Sequence, residues 1–100
     1  MLALSANANQ VPVYCAAPLS TIDLDTDSGE TIPIEERDPS EVLDIQRAGM
    51  PIAPHRSGAR NPAFDITPNR LTTALITEMG ILRQPYATSI AQAFLHEAEA

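Results

Sequence analysis

The chain has 100 residues, enough for one small domain or for part of a larger one. Hydrophobic residues make up 44% of it and aromatic residues only 4%, so an aliphatic packed core is expected. All six basic residues are Arg, and thirteen acids leave a formal net charge of −7. This balance excludes nucleic acid and an anionic membrane surface as expected partners, because both would be repelled.

The use of cysteine and the hydropathy pattern indicate a cytoplasmic protein. A single Cys cannot form an internal disulfide, which fits a reducing compartment. No apolar run approaches the ~18 residues of a membrane span. Residues 1–10 also lack the positive flank of a signal peptide. We therefore expect a cytoplasmic location and no membrane contact.

The first elements predict part of an α/β fold. Residues 1–6 have a helical pattern, but no capping residue precedes them, and a natural domain rarely begins halfway up a helix. Residues 11–17 form a nearly continuous apolar run that Pro18 closes, which suits a strand buried on both faces of a parallel sheet. A helix, a short turn and a buried strand make half of an α/β unit.

The middle of the chain is irregular, with one predicted helix. After an acidic stretch at residues 19–37, Asp38 can serve as N-cap, Pro39 as the first helical residue and Glu41 as the reciprocal partner of a capping box. This pattern predicts a short helix over residues 39–46. Proline and glycine then interrupt the chain up to residue 60, with a short strand expected at 51–53.

The densest local pattern lies at residues 61–80. Thr67 followed by Pro68 is typical of a helix start. Apolar residues then recur at three- and four-residue spacing: Leu71, Ala74, Leu75 and Met79. Gly80 stands where a left-handed C-cap is wanted. We therefore predict an amphipathic helix over residues 68–79.

The C-terminal residues predict another helix, over 86–98. Its apolar residues recur at helical spacing and are expected to turn inward: Tyr86, Ile90, Phe94 and Leu95. No internal repeat is evident along the chain.

An alternating acidic run resembles a calcium loop. Asp23, Asp25 and Asp27 precede Gly29, but the glycine and the later glutamate each come one residue late for that motif. We therefore expect a solvated acidic loop and no metal site. His55 and His96 have no ligand-spaced partner, so zinc is not expected either.

Cys15 lies in the middle of the predicted strand. That position predicts a buried, unactivated thiol, because free cysteine is among the most buried residue types. Ser20, Thr21 and Asp23 follow the strand end, where ligands bind in open α/β sheets, and are weak candidates for substrate binding. The alternative is that they close the loop through bonds to their own backbone. Asp65 has the same two interpretations, with the structural one favoured.

Two segments, CAAPLSTIDLDTDSGETIPIEER at 15–37 and NPAFDITPNRLTTALITEMGI at 61–81, resemble the C-terminal part of the methylthioribose-1-phosphate isomerase family. That family shares a broader fold with the regulatory subunits of translation initiation factor 2B. The runs IPIEER and RQPYATSIAQAF favour the isomerase branch. Six residues form the motif to which the resemblance assigns a scaffold role: Asn61, Pro62, Phe64, Asp65, Thr67 and Pro68.

The resemblance implies a homodimeric enzyme with a helical N-terminal domain and a Rossmann-like C-terminal domain. Residues 1–100 would form the C-terminal portion of the latter, an α/β fold of parallel strands with covering helices. The implied reaction is the aldose–ketose isomerisation of 5-methylthioribose 1-phosphate to 5-methylthioribulose 1-phosphate in methionine salvage. No metal or organic cofactor is implied.

The resemblance places the catalytic Cys and Asp of the family, and its phosphate-binding residues, upstream of Met1. Cys15 falls on a later strand and does not match the catalytic Cys, so no catalytic residue can be carried over. We therefore expect a fragment that is inactive alone. Two alternatives stay open: a non-catalytic regulatory module of the initiation-factor kind, and an isomerase of a related sugar 1-phosphate such as ribose 1,5-bisphosphate.

Overall fold

The computed structural model describes all 100 residues, which form two compact units. Unit 1 comprises Met1–Glu30 and Thr67–Ala100, and unit 2 comprises Thr31–Ile66. The helices are α1 (Leu2–Ala8), α2 (Ser40–Leu43) and α3 (Tyr86–Glu99). The strands are β1 (Tyr14–Ala16), β2 (Gln46–Arg47), β3 (Met50–Pro51), β4 (Ala74–Thr77) and β5 (Gly80–Leu82). Short 3-10 turns lie at Leu19–Thr21, Gly29–Thr31 and Asn69–Leu71.

The sheet of unit 1 has three strands in the order β1-β4-β5. β1 and β4 are parallel, with Cys15 opposite Leu75. β4 and β5 are antiparallel, with Leu75 opposite Leu82. The predicted α/β class is confirmed, but the sheet is mixed and only one of its two strand pairs is parallel.

The predicted helix over residues 68–79 is wrong. Only Asn69–Leu71 form a 3-10 turn, and the chain then runs through the hairpin β4–β5. The segment LTTALIT is rich in β-branched residues, which favour strands over helices. A short apolar run is compatible with the periodicity of a helix and with that of a strand. Here the segment forms a strand because it pairs within the sheet. Thr67 makes no capping bond, and Gly80 is the first residue of β5, with φ +113°.

The core of unit 1 lies between the sheet and α3. Leu19 is fully buried and clusters with the buried Leu82 and Ala93. The C-terminal helix is confirmed to within one residue at its end. Four of its residues were expected to turn inward, but Leu95 is 64% exposed and Ala93 takes the buried position instead.

Strand β1 differs from the prediction in length and in burial. It covers three residues of the predicted seven, and all three are exposed, including the thiol-bearing Cys15. The predicted buried thiol is wrong, since Cys15 is exposed and lines an open cavity of unit 1. The helix predicted before it is confirmed as α1, and Met1 supplies no side-chain cap.

In unit 2, the helix predicted over 39–46 is reduced to the four residues of α2. Pro39 stands at the N-cap predicted for Asp38, but Asp38 still binds the start of the helix, since its Oδ1 accepts the N–H of Ser40 at 2.9 Å. Glu41 does not complete the capping box. It forms an exposed ion pair with Arg37 instead, at 2.8 Å.

A two-strand hairpin follows α2, with Arg47 of β2 opposite Met50 of β3. It replaces the single strand expected at 51–53. Ala48 and Gly49 both have positive φ, as tight hairpin turns require. No residue of unit 2 is buried. None of the helices of the chain is both long enough and apolar enough to cross a membrane.

Candidate functional site

The carboxyl ends of β1 and β4 lie side by side, because the two strands are parallel. The N–H of Ala17 donates to the carbonyl of Ile76 at 3.0 Å and extends the pairing by one residue. Pro18 then leads into the 3-10 turn Leu19–Thr21. This edge is where ligands bind in open α/β sheets, so the turn occupies the expected position of a site.

Glu78 holds the turn in place. Its two carboxylate oxygens accept the N–H of Leu19 at 3.0 and 3.2 Å. Leu19 is fully buried, and without this acceptor its amide would have no partner. Sequence reasoning missed Glu78. Its only signal was a position directly after β4, which the predicted helix concealed.

The three predicted substrate-binding residues follow on this turn and differ in what they bind. The hydroxyl groups of Ser20 and Thr21 are exposed and make no hydrogen bond within the chain. Asp23 uses its carboxylate locally, because it accepts the Thr26 hydroxyl at 2.6 Å and the N–H of Asp25 at 2.9 Å. These bonds, the one from Thr26 foremost, lower the pKa of Asp23. Asp23 thus closes the loop, while the two hydroxyls stay open to a ligand.

A first cavity of about 440 Å³ lies over the sheet in unit 1. No ionised side chain lines it, and its polar groups include Cys15, Thr67, Asn69 and Tyr86. The Tyr86 hydroxyl donates to the carbonyl of Thr72 at 2.7 Å, and burial raises the pKa of Tyr86. The phenol is therefore neutral at pH 7. This cavity offers no charge for a phosphate group.

A second cavity of about 750 Å³ lies between the loop at residues 22–27 and α3. Its walls are largely apolar, and its carboxylates belong to Asp23 and Asp27. Carboxylates repel an anionic sugar phosphate. The first cavity thus has no ionised side chain, and the second has carboxylates without a basic side chain. No group of three His, Cys, Asp or Glu side chains is placed to hold a metal ion, and neither His55 nor His96 belongs to such a group.

The two segments that carry the family resemblance pair with each other in unit 2. Glu36 and Pro62 form an isolated antiparallel bridge, and the N–H of Arg37 donates to the carbonyl of Asn61 at 2.8 Å. Asn61 adds three further bonds, one of them from its side-chain amide to Glu41 Oε2 at 3.1 Å. Its own N–H donates to Glu36 Oε1 at 2.7 Å, and its side-chain amide donates to the carbonyl of Asp38 at 3.0 Å. The run IPIEER and the run NPAF are thus neighbours in space.

The other motif residues are divided between the two units. Phe64 is 72% exposed. Asp65 Oδ1 accepts the N–H of Ile66 at 2.9 Å. In unit 1, Thr67 lines the first cavity, and the carbonyl of Pro68 accepts the N–H of Leu71 at 3.0 Å.

Unit 1 has a mixed sheet with a helix on one face, a parallel strand pair and a turn held at the strand ends. These features define the class of α/β domains. A sequence profile described as the initiation factor 2 subunit family matches residues 1–84. The chain belongs to that family.

The similar proteins of known name point to the isomerase branch of this family. A protein of Chloroflexus aurantiacus named methylthioribose-1-phosphate isomerase is 57% identical over 91 residues, covering 91% of this chain and 26% of the relative. A protein of the same name from Geobacillus kaustophilus is 53% identical over 98 residues, covering 98% of this chain and 27% of the relative. The resemblance predicted from the sequence is confirmed.

Solved structures agree with this assignment. The crystal structure of 5-methylthioribose 1-phosphate isomerase from Pyrococcus horikoshii aligns with a TM-score of 0.82 and 42% identity, covering 94% of this chain and 26% of that one. The delta subunit of translation initiation factor eIF-2B from A. fulgidus aligns with a TM-score of 0.80 and 35% identity, covering 91% and 26%. The chain thus spans about a quarter of the length of the curated relatives that it matches.

Proposed function

We propose that this chain is the C-terminal portion of the Rossmann-like domain of a methylthioribose-1-phosphate isomerase. The complete enzyme would convert 5-methylthioribose 1-phosphate to 5-methylthioribulose 1-phosphate in methionine salvage, in the cytoplasm, as a homodimer and without a cofactor. The observation that carries the proposal is the 57% identity over 91 residues with a relative of that name.

The chemistry of the reaction supports the proposal that these 100 residues supply structure and that the rest of the enzyme supplies the catalytic groups. An aldose–ketose isomerisation moves protons on and off the sugar and needs an acid–base group placed against it. The first cavity has no ionised group, and the second presents carboxylates to an anionic substrate. We propose that the catalytic groups come from the part of the enzyme that these 100 residues do not contain, as the family resemblance implies.

In this proposal the chain supplies the sheet and the turn at its carboxyl edge. Ser20 and Thr21 are the candidate substrate contacts, because their hydroxyls are exposed at that edge and bond no other group of the chain. Glu78 holds the turn that carries them, and Asp23 closes the loop that follows it.

A chimera tests the proposal. Residues 1–100 would replace the matching C-terminal segment of the Geobacillus kaustophilus relative, and formation of methylthioribulose 1-phosphate would be measured. We expect turnover by the chimera and none by the chain alone. Replacing Ser20→Ala together with Thr21→Ala should raise KM roughly threefold to tenfold, the worth of one neutral hydrogen bond.

Ser57→Ala is the matched control for the hydroxyl changes, because its hydroxyl donates within its own loop to the carbonyl of Pro54 at 2.7 Å. A folded chimera without turnover would overturn the proposed function. Turnover by the isolated chain would overturn the proposal that the catalytic groups lie outside these 100 residues.

A non-catalytic role of the initiation-factor kind is the second candidate. The alignment with the delta subunit of translation initiation factor eIF-2B, at a TM-score of 0.80, favours it over unrelated functions. A folded, inactive chimera would support this role. Turnover of ribose 1,5-bisphosphate in preference to the methylthio sugar would instead indicate the related sugar-phosphate isomerase.

A further inference from the structure

Two side chains that flank β4 bind backbone amides that flank β1, and both bonds lie within unit 1. At the amino end of the strand pair, the Thr73 hydroxyl oxygen accepts the N–H of Val13 at 3.0 Å, across 60 positions of sequence. At the carboxyl end, the Glu78 carboxylate accepts the N–H of Leu19 at 3.0 and 3.2 Å, across 59 positions. The two parallel strands are therefore tied together beyond both ends of their pairing.

Leu19 is fixed at its side chain, its amide and its carbonyl. The side chain is fully buried and packs with Leu82 and Ala93. The N–H is bound by Glu78, and the carbonyl accepts the N–H of Ile22 at 2.9 Å. A residue held at three points has little freedom to rotate, so the backbone that follows it starts from a defined position.

Glu78 is itself held where it can reach this amide. It lies in the short connection between β4 and β5. The Thr77 hydroxyl accepts the N–H of Met79 at 3.1 Å and donates to the carbonyl of Gly80 at 2.9 Å, so the backbone around Glu78 is hydrogen-bonded. A supporting residue whose own position is fixed can hold the group that it binds in a defined geometry.

Ser20 and Thr21 follow Leu19 within the same turn. They are the candidate substrate contacts of the proposed function, because the turn lies at the carboxyl edge of a parallel strand pair. A shift of the Leu19 amide would move both hydroxyls, and a displacement of about 1 Å is enough to weaken a functional contact.

We propose that Glu78 is a positioning residue of the isomerisation, which places the hydroxyls of Ser20 and Thr21 against the substrate. It acts through the amide of Leu19, and the inference rests on the proposed function. The bond needs an acceptor oxygen and not a negative charge, so glutamine can replace glutamate in this role. Thr73 makes the equivalent bond at the opposite edge of the sheet, where no substrate contact is expected.

Steady-state kinetics of the active chimera test this role, at a temperature below the melting midpoint of each variant. Glu78→Ala should raise KM for 5-methylthioribose 1-phosphate about threefold or more and change kcat less than about twofold, because it weakens binding in the ground state and the transition state alike. Glu78→Gln should keep KM within about twofold of the unmodified chimera, since it retains one acceptor oxygen. Glu78→Asp keeps the charge but is one methylene shorter, so it should also raise KM, and it replaces the alanine variant if that chain does not fold.

Thr73→Val is the matched control. It removes the other long-range bond between the two strands at nearly constant side-chain size, so it should lower the melting midpoint and leave KM unchanged. An equal rise of KM in Thr73→Val and Glu78→Ala would overturn the proposal, because loss of stability would then explain both. An unchanged KM in Glu78→Ala would overturn it too, as would a Glu78→Gln variant that behaves like Glu78→Ala.

A combined variant shows whether Glu78 acts through the two hydroxyls. Adding Glu78→Ala to Ser20→Ala with Thr21→Ala should leave KM within about twofold of the variant that lacks only the hydroxyls, because the effects of coupled residues do not multiply. A further rise equal to that of Glu78→Ala alone would show an independent effect and overturn the proposal.

The two proposals fail separately. An active chimera whose KM does not respond to Glu78 would remove the positioning role and leave the enzyme assignment. A folded chimera without turnover would remove the enzyme assignment, and the positioning role with it.

Discussion

At the scale of single residues, carboxylates hold backbone amides in this fold. Glu78 accepts the N–H of Leu19, Asp23 that of Asp25 and Asp38 that of Ser40. The acids thus fix the backbone of turns and loops. The sequence indicated this role for Asp38, because the following Pro39 marks a helix start. It could not do so for Glu78, whose partner lies 59 residues away.

Glu78→Ala should destabilise unit 1. It leaves the amide of the fully buried Leu19 without an acceptor, at a cost of roughly 1–2 kcal/mol in the free energy of unfolding. Urea denaturation followed by circular dichroism measures the change. Glu78→Gln keeps one acceptor oxygen and should fall between the alanine variant and the wild type. Equal stability of the wild type and the alanine variant would show that the bond to Leu19 contributes nothing.

At the scale of elements, residues 61–80 show how a local pattern can mislead. Proline, threonine and glycine stand where a helix would place them, and the apolar spacing matches a helix. The segment nevertheless forms a turn and the hairpin β4–β5, because β4 is the central strand of the sheet and pairs on both sides. Thr77 stabilises the turn, since its hydroxyl accepts the N–H of Met79 at 3.1 Å and donates to the carbonyl of Gly80 at 2.9 Å.

Gly80→Ala should cost roughly 1–2 kcal/mol in the free energy of unfolding. The backbone there has φ +113°, which L-residues with a side chain rarely adopt. No atom lies within 4 Å of the added methyl group, so the cost comes from the backbone alone. Gly58→Ala is the matched control, because that glycine has equally open space and no positive φ. Similar melting midpoints for the two variants would contradict the prediction that alanine strains the backbone at position 80.

At the scale of the whole molecule, the two units differ in how they are stabilised. Unit 1 has a core around Leu19, Leu82 and Ala93. Unit 2 has no buried residue and depends on its hydrogen bonds, such as the pairing of Arg37 with Asn61. Local stability follows the burial of apolar groups, so the two units should open independently.

Amide hydrogen exchange should therefore separate the units. The hydrogen-bonded amides of Arg37 and Ala63 should exchange on the order of tenfold faster than those of β4. Exchange followed by NMR gives both rates in one sample. Equal protection in the two units would mean that they unfold together.

The sequence by itself determined the family, the α/β class, the terminal helices and the acidic character of the chain. These follow from short motifs, local periodicity and composition, which need no knowledge of distant contacts. Only the tertiary structure decided that residues 74–82 form a hairpin, that Cys15 is exposed, and that Glu78 holds the strand-end turn. Each of these depends on which strand pairs with which. Pairing brings together residues some sixty positions apart, such as Cys15 and Leu75, and no local pattern records that choice.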